Sequence, residues 1–372
     1  MGYVLQDRME VSLFLSGVEF PLSGINVLNS LQVDMSVKVL LPTIHLVVTD
    51  EMELISKSSL VQDGTPLSVV MKPWGTGDAV TYNFRVFKYQ SFRATIGTMY
   101  QIDGYLDFPK FWFQTSTEGI QGTSNQVLSE ITRVCGMQYD GTNTNDSQIW
   151  FPQNRTYGIF AKKTVEHGYA SDTSLMMFGV DFSGTLMYRD FNQQPDTAID
   201  IVLGQYTNDA RVATDYIPKN DGGLNNMLSG YNNIRVAQSA VGSTIQTTVK
   251  DLQFFPDSKT PFFNDELKAQ TERGFVLYSP IDFGNVHESY ERAYYQNQRY
   301  KNLMNAGVDF MSIMPTGLNL FDSFNFVDRE VEDHEVNNSW SGKYRVTSKA
   351  IRVEGATYSE YFEGYRHGTN VT

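Results

Sequence analysis

The chain has 372 residues, of which 29 are lysine or arginine and 42 are aspartate or glutamate, so its net charge is −13 at pH 7. This length exceeds what one small core can organise and indicates two to three domains. The negative charge argues against a dedicated nucleic-acid grip, because phosphate binding requires clustered lysine and arginine. Solubility is the ordinary interpretation of such a charge. A surface that must not adhere to DNA or to an anionic membrane is the sharper one.

The single cysteine, Cys135, excludes an intramolecular disulfide framework and a cysteine-based zinc site. It falls on the apolar side of a predicted helix, which indicates a buried thiol and not a nucleophile. No apolar run reaches the roughly 18 residues of a membrane-spanning helix, so we predict no membrane insertion. The N-terminal residues do not have the form of a signal peptide.

Short strands are predicted throughout the first 110 residues, beginning with a hairpin at residues 11–20. Residues 38–49 form the strongest strand candidate, and Pro42 inside it indicates an edge strand or a bulge. Alternation of apolar and polar residues predicts further strands at residues 67–71, 82–89 and 100–106. Six or seven strands with short turns indicate a small antiparallel barrel or sandwich.

The middle of the chain predicts two helices and a hairpin. Thr123 or Ser124 can cap a helix over residues 124–135, where apolar residues recur at helical spacing and Gly136 follows as a stop signal. A second helix, ending near residue 168, is predicted with a cap at Asn154 or Thr156 and with inward positions at Ile159, Phe160 and Val165. Residues 175–190 predict a β-hairpin.

Strands resume in the last part of the chain at residues 198–203 and 231–237, and residues 244–255 are predicted to be extended. Residues 257–271 are polar and indicate a long excursion. An amphipathic helix is predicted at residues 287–305. Alternating residues then predict the closing strands at residues 318–327, 343–348 and 357–366.

No motif identifies a catalytic, metal-binding or cofactor-binding residue, so we predict no such site and no cofactor. Gly75-Thr76-Gly77 lacks the third glycine of a dinucleotide loop and is interpreted as a turn. His334 lies in the acidic loop 329–338, where a solvated loop is a commoner structure than a cation site. The 42 acidic residues single out no carboxylate pair, and no nucleophile elbow occurs. The five histidines show no metal spacing: His45, His167, His287, His334 and His367.

Two aromatic stretches admit both a packing and a binding interpretation. The cluster at residues 108–113 suits a ligand platform, although packing is the commoner role at a boundary between modules. Interfaces are rich in tyrosine, so the tyrosine face of the 287–305 helix suits either a partner surface or a core. Its members are Tyr290, Tyr294 and Tyr300.

The order and spacing of these elements carry a resemblance that no single motif carries alone. The segments concerned are Thr132-Arg133-Val134-Cys135-Gly136-Met137, Asn145-Asp146-Ser147-Gln148-Ile149-Trp150, Asn154-Arg155-Thr156, the hairpin at residues 181–190, Thr316-Gly317-Leu318, Gly342-Lys343-Tyr344-Arg345-Val346 and Tyr358-Ser359-Glu360-Tyr361. From about residue 10 to residue 370, the chain resembles the baseplate hub proteins of contractile-tailed bacteriophages. It is also similar to the hub portion of type VI secretion spike proteins.

The resemblance implies an α+β, mainly β fold. Two tail-tube-like antiparallel β-barrels would lie in one chain, with an α/β module inserted between them. The implied domains are a first barrel at residues 1–112, the α/β module at 113–190, a second barrel built from 191–243 and 306–372, and an excursion with a covering helix at 244–305.

The resemblance also implies a structural function without catalysis. The chain would form a homotrimeric ring of pseudo-six-fold symmetry that joins the tail tube to the central spike in the virion baseplate, after assembly in the host cytoplasm. Its partners would be the tail tube protein, the central spike protein, wedge proteins and the tape-measure protein. DNA would pass through the lumen without specific binding, past a negative wall. A tail-associated cell-wall hydrolase and a receptor- or glycan-binding tail protein remain as alternatives.

Overall fold

The computed structural model of the chain describes residues 9–22, 27–73, 78–171, 174–193, 198–203, 212–220, 233–239, 245–251, 276–279, 306–327, 340–354 and 357–366. Strands dominate these residues, and four helices lie among them. The expected α+β, mainly β class is therefore confirmed.

In the N-terminal β region, the described residues form seven strands and one helix. In chain order they are β1 (Met9–Leu15), β2 (Val18–Phe20), β3 (Val27–Ser36), β4 (Thr43–Asp50), α1 (Leu54–Ser58), β5 (Pro66–Pro73), β6 (Val80–Arg93) and β7 (Thr98–Leu106). They pair antiparallel in the order β2-β1-β5-β6-β7-β4-β3. Leu13 on β1 and Val33 on β3 lie in one hydrophobic cluster, so the two ends of this set enclose a common core.

The predicted strand at residues 38–49 is corrected by the structure. The strand β4 begins at Thr43, and residues 38–42 form a turn, so Pro42 lies before the strand and not inside it. Consequently β4 is an interior strand, paired with both β3 and β7, since proline in its middle would have removed a ladder hydrogen bond. The strand β3 was not predicted, although Leu31, Val33 and Met35 alternate in its sequence and are buried.

The middle of the chain contains the two helices and the hairpin that the sequence predicts. The elements are α2 (Pro109–Phe113), β8 (Ile120–Gly122), α3 (Ser124–Cys135), β9 (Gln138–Gly141), β10 (Gln148–Trp150), α4 (Tyr157–Glu166), β11 (Met176–Val180) and β12 (Thr185–Asp190). Thr123 caps α3 in a reciprocal capping box with Gln126, and Gly136 ends it with φ 75°.

For the second predicted helix, the prediction of one inward side chain is wrong. Phe160 and Val165 are buried as expected, but Ile159 is 41% exposed. The buried face of α4 is formed by Gly158, Phe160, Ala161, Thr164 and Val165. Of the two predicted caps, Thr156 is the one observed, and it accepts a hydrogen bond from the backbone N–H of Ile159. That helix position turns the Ile159 side chain away from the core.

The described residues of the C-terminal part form ten strands. They are β13 (Ala198–Leu203), β14 (Val212–Ala213), β15 (Asp215–Asn220), β16 (Asn233–Ser239), β17 (Ile245–Asp251), β18 (Val276–Ser279), β19 (Ala306–Ser312), β20 (Ser323–Val327), β21 (Gly342–Glu354) and β22 (Thr357–Arg366). Seven of them pair in the order β14-β13-β20-β21-β22-β19-β15, whereas β16, β17 and β18 form a separate sheet. The predicted helix at 287–305 and the acidic loop 329–338 lie outside the described residues.

Two expectations for this C-terminal region are corrected. The predicted strand at residues 318–327 begins only at Ser323, because residues 318–322 form a turn that buries Leu318 and Leu320. The region is also not wholly antiparallel, since β13 pairs parallel with both β14 and β20. More than 100 residues separate β13 from β20 in the sequence, and a long crossover of this kind permits parallel pairing.

The two β regions are joined edge to edge by the pairing of β3 with β21. As a result, the described strands of both regions lie in one continuous sheet of 14 strands. Two hydrophobic clusters lie against it. The larger cluster combines the N-terminal strands with α3 and α4, so the predicted domain limits, and the separation into two barrels, stay predictions.

Candidate interaction surface

Eight strands of the sheet form an unbroken antiparallel series, and one of its two faces is polar. Their order is β6-β7-β4-β3-β21-β22-β19-β15. Directly opposed residues share a face, and alternate residues point to opposite faces. Gln32, His45, Asp103 and Arg352 thus lie in one row of the polar face, whereas Val33, Ile44, Ile102 and Ile351 lie in the buried face.

The polar face has a small excess of negative charge. By register its strands carry six carboxylates and four lysine or arginine side chains: Asp34, Asp103, Asp215, Asp309, Glu354 and Glu363 against Arg85, Lys88, Lys219 and Arg352. Lys38, from the turn after β3, adds a fifth cation by pairing with Glu363. Several of these charges are paired across strands. Nδ1 of His45 lies 2.6 Å from Oδ1 of Asp103, and Lys219 forms an ion pair with Asp309.

A shallow groove of about 300 Å³ indents this face next to β15. Its lining includes Ile217, Asp309, Arg352 and Tyr361. The guanidinium of Arg352 lies 4.3 Å from the centre of the Tyr361 ring, a cation–π contact. Burial raises the pKa of Asp309, although the hydrogen bond and charge of Lys219 act in the opposite direction. The groove therefore offers mixed charge and no concentrated field of one sign.

On the buried face, a satisfied ion pair connects β21 to β22. Nζ of Lys349 lies 2.8 Å from Oε1 of Glu360 and also donates a hydrogen bond to the carbonyl oxygen of Leu318 at 3.0 Å. Oε2 of Glu360 accepts hydrogen bonds from the backbone N–H and the hydroxyl of Thr316, while Oε1 accepts one from the hydroxyl of Tyr358. The pair therefore fixes the turn around Thr316 against the sheet.

Both ends of the eight-strand series have a free edge among the described strands. Residues 80–85 of β6 pair with β5, but residues 88–93 continue beyond β5 and pair only with β7. At the other end, β15 pairs only with β19. Such edges present unpaired backbone groups that can accept another strand.

The aromatic cluster at residues 108–113 is divided between packing and exposure. Phe111 is fully buried against the helices, and Phe108 lies over Gly184. Trp112 stacks on Tyr105 with ring centres 5.5 Å apart, whereas Phe113 is 61% exposed. The packing interpretation therefore holds for the first half of the cluster, and the second half remains an accessible aromatic surface.

Within the described ranges, the other residues singled out from the sequence lie apart from one another. Cys135 is buried, as expected, and burial raises the pKa of its thiol to about 12, which disfavours the nucleophilic thiolate form. Nδ1 of His167 lies 2.9 Å from the carbonyl oxygen of Lys163 at the end of α4. Within the described ranges, no three potential ligands group in a metal-binding arrangement. His287, His334, His367 and the Gly75–Gly77 turn lie outside those ranges.

The described part of the chain contains no helix that is a candidate for membrane insertion. None of the helices there has the length and apolar character needed to cross a bilayer.

Sequence reasoning missed two features of this sheet, the ion pair on its buried face and the free edges. A signal for the ion pair was present. Lys349 stands in alternation with Ile351 and Val353, and Glu360 stands between Tyr358 and Phe362, so both charges occupy positions of the buried face. The free edges had no comparable signal, because an edge is defined by strand order.

The fold is shared with phage tail proteins of known structure. The 43 kDa tail protein of prophage MuSo2 from Shewanella oneidensis matches with a TM-score of 0.63 and 11% identity, over 96% of this chain and 98% of that one. The tail protein from Neisseria meningitidis MC58 matches with a TM-score of 0.61 and 8% identity, over 96% and 97% of the two chains.

A component of the Francisella PdpA–VgrG complex is also similar, with a TM-score of 0.53 and 8% identity. The match covers 100% of this chain and 55% of that one, so the chain spans about half the length of that protein. No protein-family model and no curated protein matches the sequence. The resemblance to tail hubs and to type VI spike proteins is therefore confirmed, at the level of the fold.

Proposed function

We propose that this chain is the structural hub of a phage tail baseplate. Three copies form a ring of pseudo-six-fold symmetry that joins the tail tube to the central spike and lets DNA pass. The ring works through its interfaces and not through catalysis. It binds the tube protein, the spike protein, wedge proteins and the tape-measure protein, and it resides in the virion tail after assembly in the host cytoplasm.

The observation that carries this proposal is the pairing of β3 with β21. It joins two four-stranded antiparallel halves, β6-β7-β4-β3 and β21-β22-β19-β15, edge to edge within one chain. Each half behaves as one repeat, so two repeats per chain and three chains supply six positions around a ring. The likeness of the whole chain to solved tail proteins supports the same assignment.

A ring of three copies would contain enough strands to enclose a channel. Three copies of the eight-strand series provide 24 strands. At ~4.8 Å per strand, the circumference is ~115 Å and the backbone diameter is ~37 Å before strand tilt widens it. Barrels of about 16–18 strands already leave an aqueous channel. The polar face would line this channel, because the opposite face is buried in each chain's own cores.

With the polar face lining the channel, we propose that the channel wall is weakly negative. The strands of the polar face carry six carboxylates and four lysine or arginine side chains, and Lys38 adds a fifth cation, so the net charge of this face is negative but small. Such a wall repels a phosphate backbone weakly and offers it no basic stripe to bind. We expect the purified protein to show no measurable retention of duplex DNA at physiological salt.

The test of the proposed function is the mass of the purified protein in solution, together with its position in tail particles. A stable three-fold assembly located between tube and spike is expected. A strict monomer that never associates with tube or spike contradicts the proposal. An assay of peptidoglycan digestion by the purified protein distinguishes the hydrolase alternative from the structural hub, since turnover that survives purification supports an enzyme. Binding to isolated cell-surface glycans supports the receptor-binding alternative.

A further inference from the structure

The two free edges of the eight-strand series carry exposed apolar side chains on the same face of the sheet. Phe92 lies on the polar face of β6, opposite Met99 of β7, and is 46% exposed. Ile217 lies on that face of β15, opposite Asp309 of β19, and is 59% exposed. A free edge with a large apolar side chain is an aggregation hazard unless another chain covers it.

The two edges also differ in charge. Residues 79–102 contain Arg85, Lys88 and Arg93 and no acidic residue, although the whole chain has a net charge of −13. The polar face near β15 instead carries three carboxylates against two lysines, which are Asp215, Asp309 and Glu363 against Lys219 and Lys38. Arg85 is already paired with Asp107, so the β6 edge is only weakly positive and the β15 edge only weakly negative. This small difference favours the encounter of unlike edges over that of like edges.

Strand direction permits the two edges to pair. The series contains eight strands, all antiparallel to their neighbours, so β15 runs opposite to β6. A further copy placed at the end continues the same antiparallel order. Side chains of the two polar faces then stay on one face when an even-numbered residue of β6 opposes an odd-numbered residue of β15, as Phe92 and Ile217 do.

We propose that Phe92 of one copy packs on Ile217 of the next copy, as the apolar contact that seals each junction between subunits. The proposal rests on the proposed function, because the occupant of the edge is a second copy of this chain. Pro218, next to Ile217, has no backbone N–H, and a proline in an edge strand normally turns its nitrogen to the open edge. A junction without this donor relies more on side-chain contacts.

A cysteine pair tests the contact directly. In the double variant Phe92→Cys/Ile217→Cys, mild oxidation is expected to give covalent dimers and trimers on a non-reducing denaturing gel, and reduction is expected to return them to monomers. Within one chain, seven strand spacings of ~4.8 Å, or ~34 Å, separate β6 from β15, which no disulfide can bridge. The natural Cys135 is buried and does not compete.

Matched variants control for chance collision and for register. Ile149 is 51% exposed on β10, away from both edges, so Phe92→Cys/Ile149→Cys is expected to give no cross-link above the single variants. The pair Gln90→Cys/Ile217→Cys covers a register shifted by two residues. As a readout independent of oxidation, Phe92→Asp is expected to weaken association at least ~10-fold, while Ile149→Asp leaves it unchanged.

The outcomes separate this junction from the hub proposal. Cross-linking by the Phe92/Ile217 pair, together with weakened association of Phe92→Asp, supports the contact, whereas cross-linking by the Gln90/Ile217 pair alone overturns this register. A wild-type trimer that neither edge pair cross-links, and that tolerates Phe92→Asp, overturns the contact and leaves the hub function standing. Equal cross-linking of the Ile149 control also overturns the contact. A wild-type protein that stays monomeric at all concentrations refutes both proposals.

Discussion

Replacing Lys349 by methionine is expected to destabilise the C-terminal β region strongly, because it leaves the Glu360 carboxylate buried without its cation. The side chains of the pair are only 9% and 3% exposed, and Nζ lies 2.8 Å from Oε1. Removing one partner of a buried ion pair costs about 3–5 kcal/mol, since the remaining charge stays desolvated.

The lower end of that range applies here. Glu360 keeps three donors after the substitution, two from Thr316 and one from Tyr358, and these continue to solvate its charge. We therefore expect a loss of about 3 kcal/mol for Lys349→Met. Glu360→Gln leaves the ammonium buried and is expected to cost about as much. The double variant should lose less than the sum, by about 1–3 kcal/mol, because the two groups act on each other.

Thermal unfolding of the purified variants measures these losses. A loss of about 3 kcal/mol lowers Tm by about 6–12 °C for a cooperative unit of some 150–250 residues. Lys57→Met is the matched control, because Lys57 pairs with Glu53 at 3.4 Å on the surface, where such pairs contribute little. A Tm of Lys349→Met equal to that of the control, or fully additive losses in the double variant, would refute the reasoning.

Three further substitutions test other parts of the fold by thermal unfolding. Asp146→Ala should lower the free energy of unfolding by about 2–4 kcal/mol, because the Asp146 carboxylate accepts hydrogen bonds from two buried backbone N–H groups. Asp146→Asn should lower it less, and equal losses for the two variants contradict this role of the carboxylate. Burial alone would raise the pKa of Glu363, but Lys38 and its other partners hold it below the usual 4.5. The stabilisation that the ionised Glu363 provides is thus present above pH 4.5 and is lost as pH falls through the folded-state pKa. Glu363→Gln should therefore have a lower Tm than wild type at neutral pH and the same Tm only in acid. Gly104→Ala should cost about 1–3 kcal/mol, because its Cβ would lie 2.9 Å from Ile44; a neutral result contradicts that packing.

Local elements of this chain were predictable because their signals lie within a few residues. The helix α3 was predicted with its bounds and its cap, since Thr123, Gln126 and Gly136 supply both end signals within one turn of the helix. The hairpin β11–β12 was predicted for the same reason, as its turn lies between two apolar runs. In both cases the decisive contacts join residues close in sequence.

The order of strands was not predictable from local signals. The pairing of β3 with β21 joins residues more than 300 positions apart, for example Val33 with Ile351, and no property of either segment identifies the other. The predicted limits of β4 were wrong for a related reason. Leu40 and Leu41 continue its apolar pattern, but they lie in the turn that returns the chain from β3, and the partner strand β7 extends no further than Leu106.

The candidate surface depends on this non-local order. Phe92 and Ile217 are ordinary strand residues in the sequence, and only the positions of β6 and β15 at the two ends of the series make them edge residues. The buried charges were closer to prediction. Strand alternation places Lys349 and Glu360 on the apolar face, and two opposite charges at buried positions of adjacent strands are expected to pair.

The character of the two faces constrains how copies of this chain can associate. The buried face is covered by each chain's own cores, and the polar face carries charges such as Lys219 and Asp309 that are already paired. Stacking polar faces would desolvate those charges with little apolar area in return. Association through the edges avoids that desolvation. Because the β6 edge and the β15 edge are different surfaces, the proposed contact is head-to-tail, and such a contact gives a closed ring when its rotation closes and a filament when it does not. On this proposal, the curvature of the sheet decides between a closed ring and a fibre.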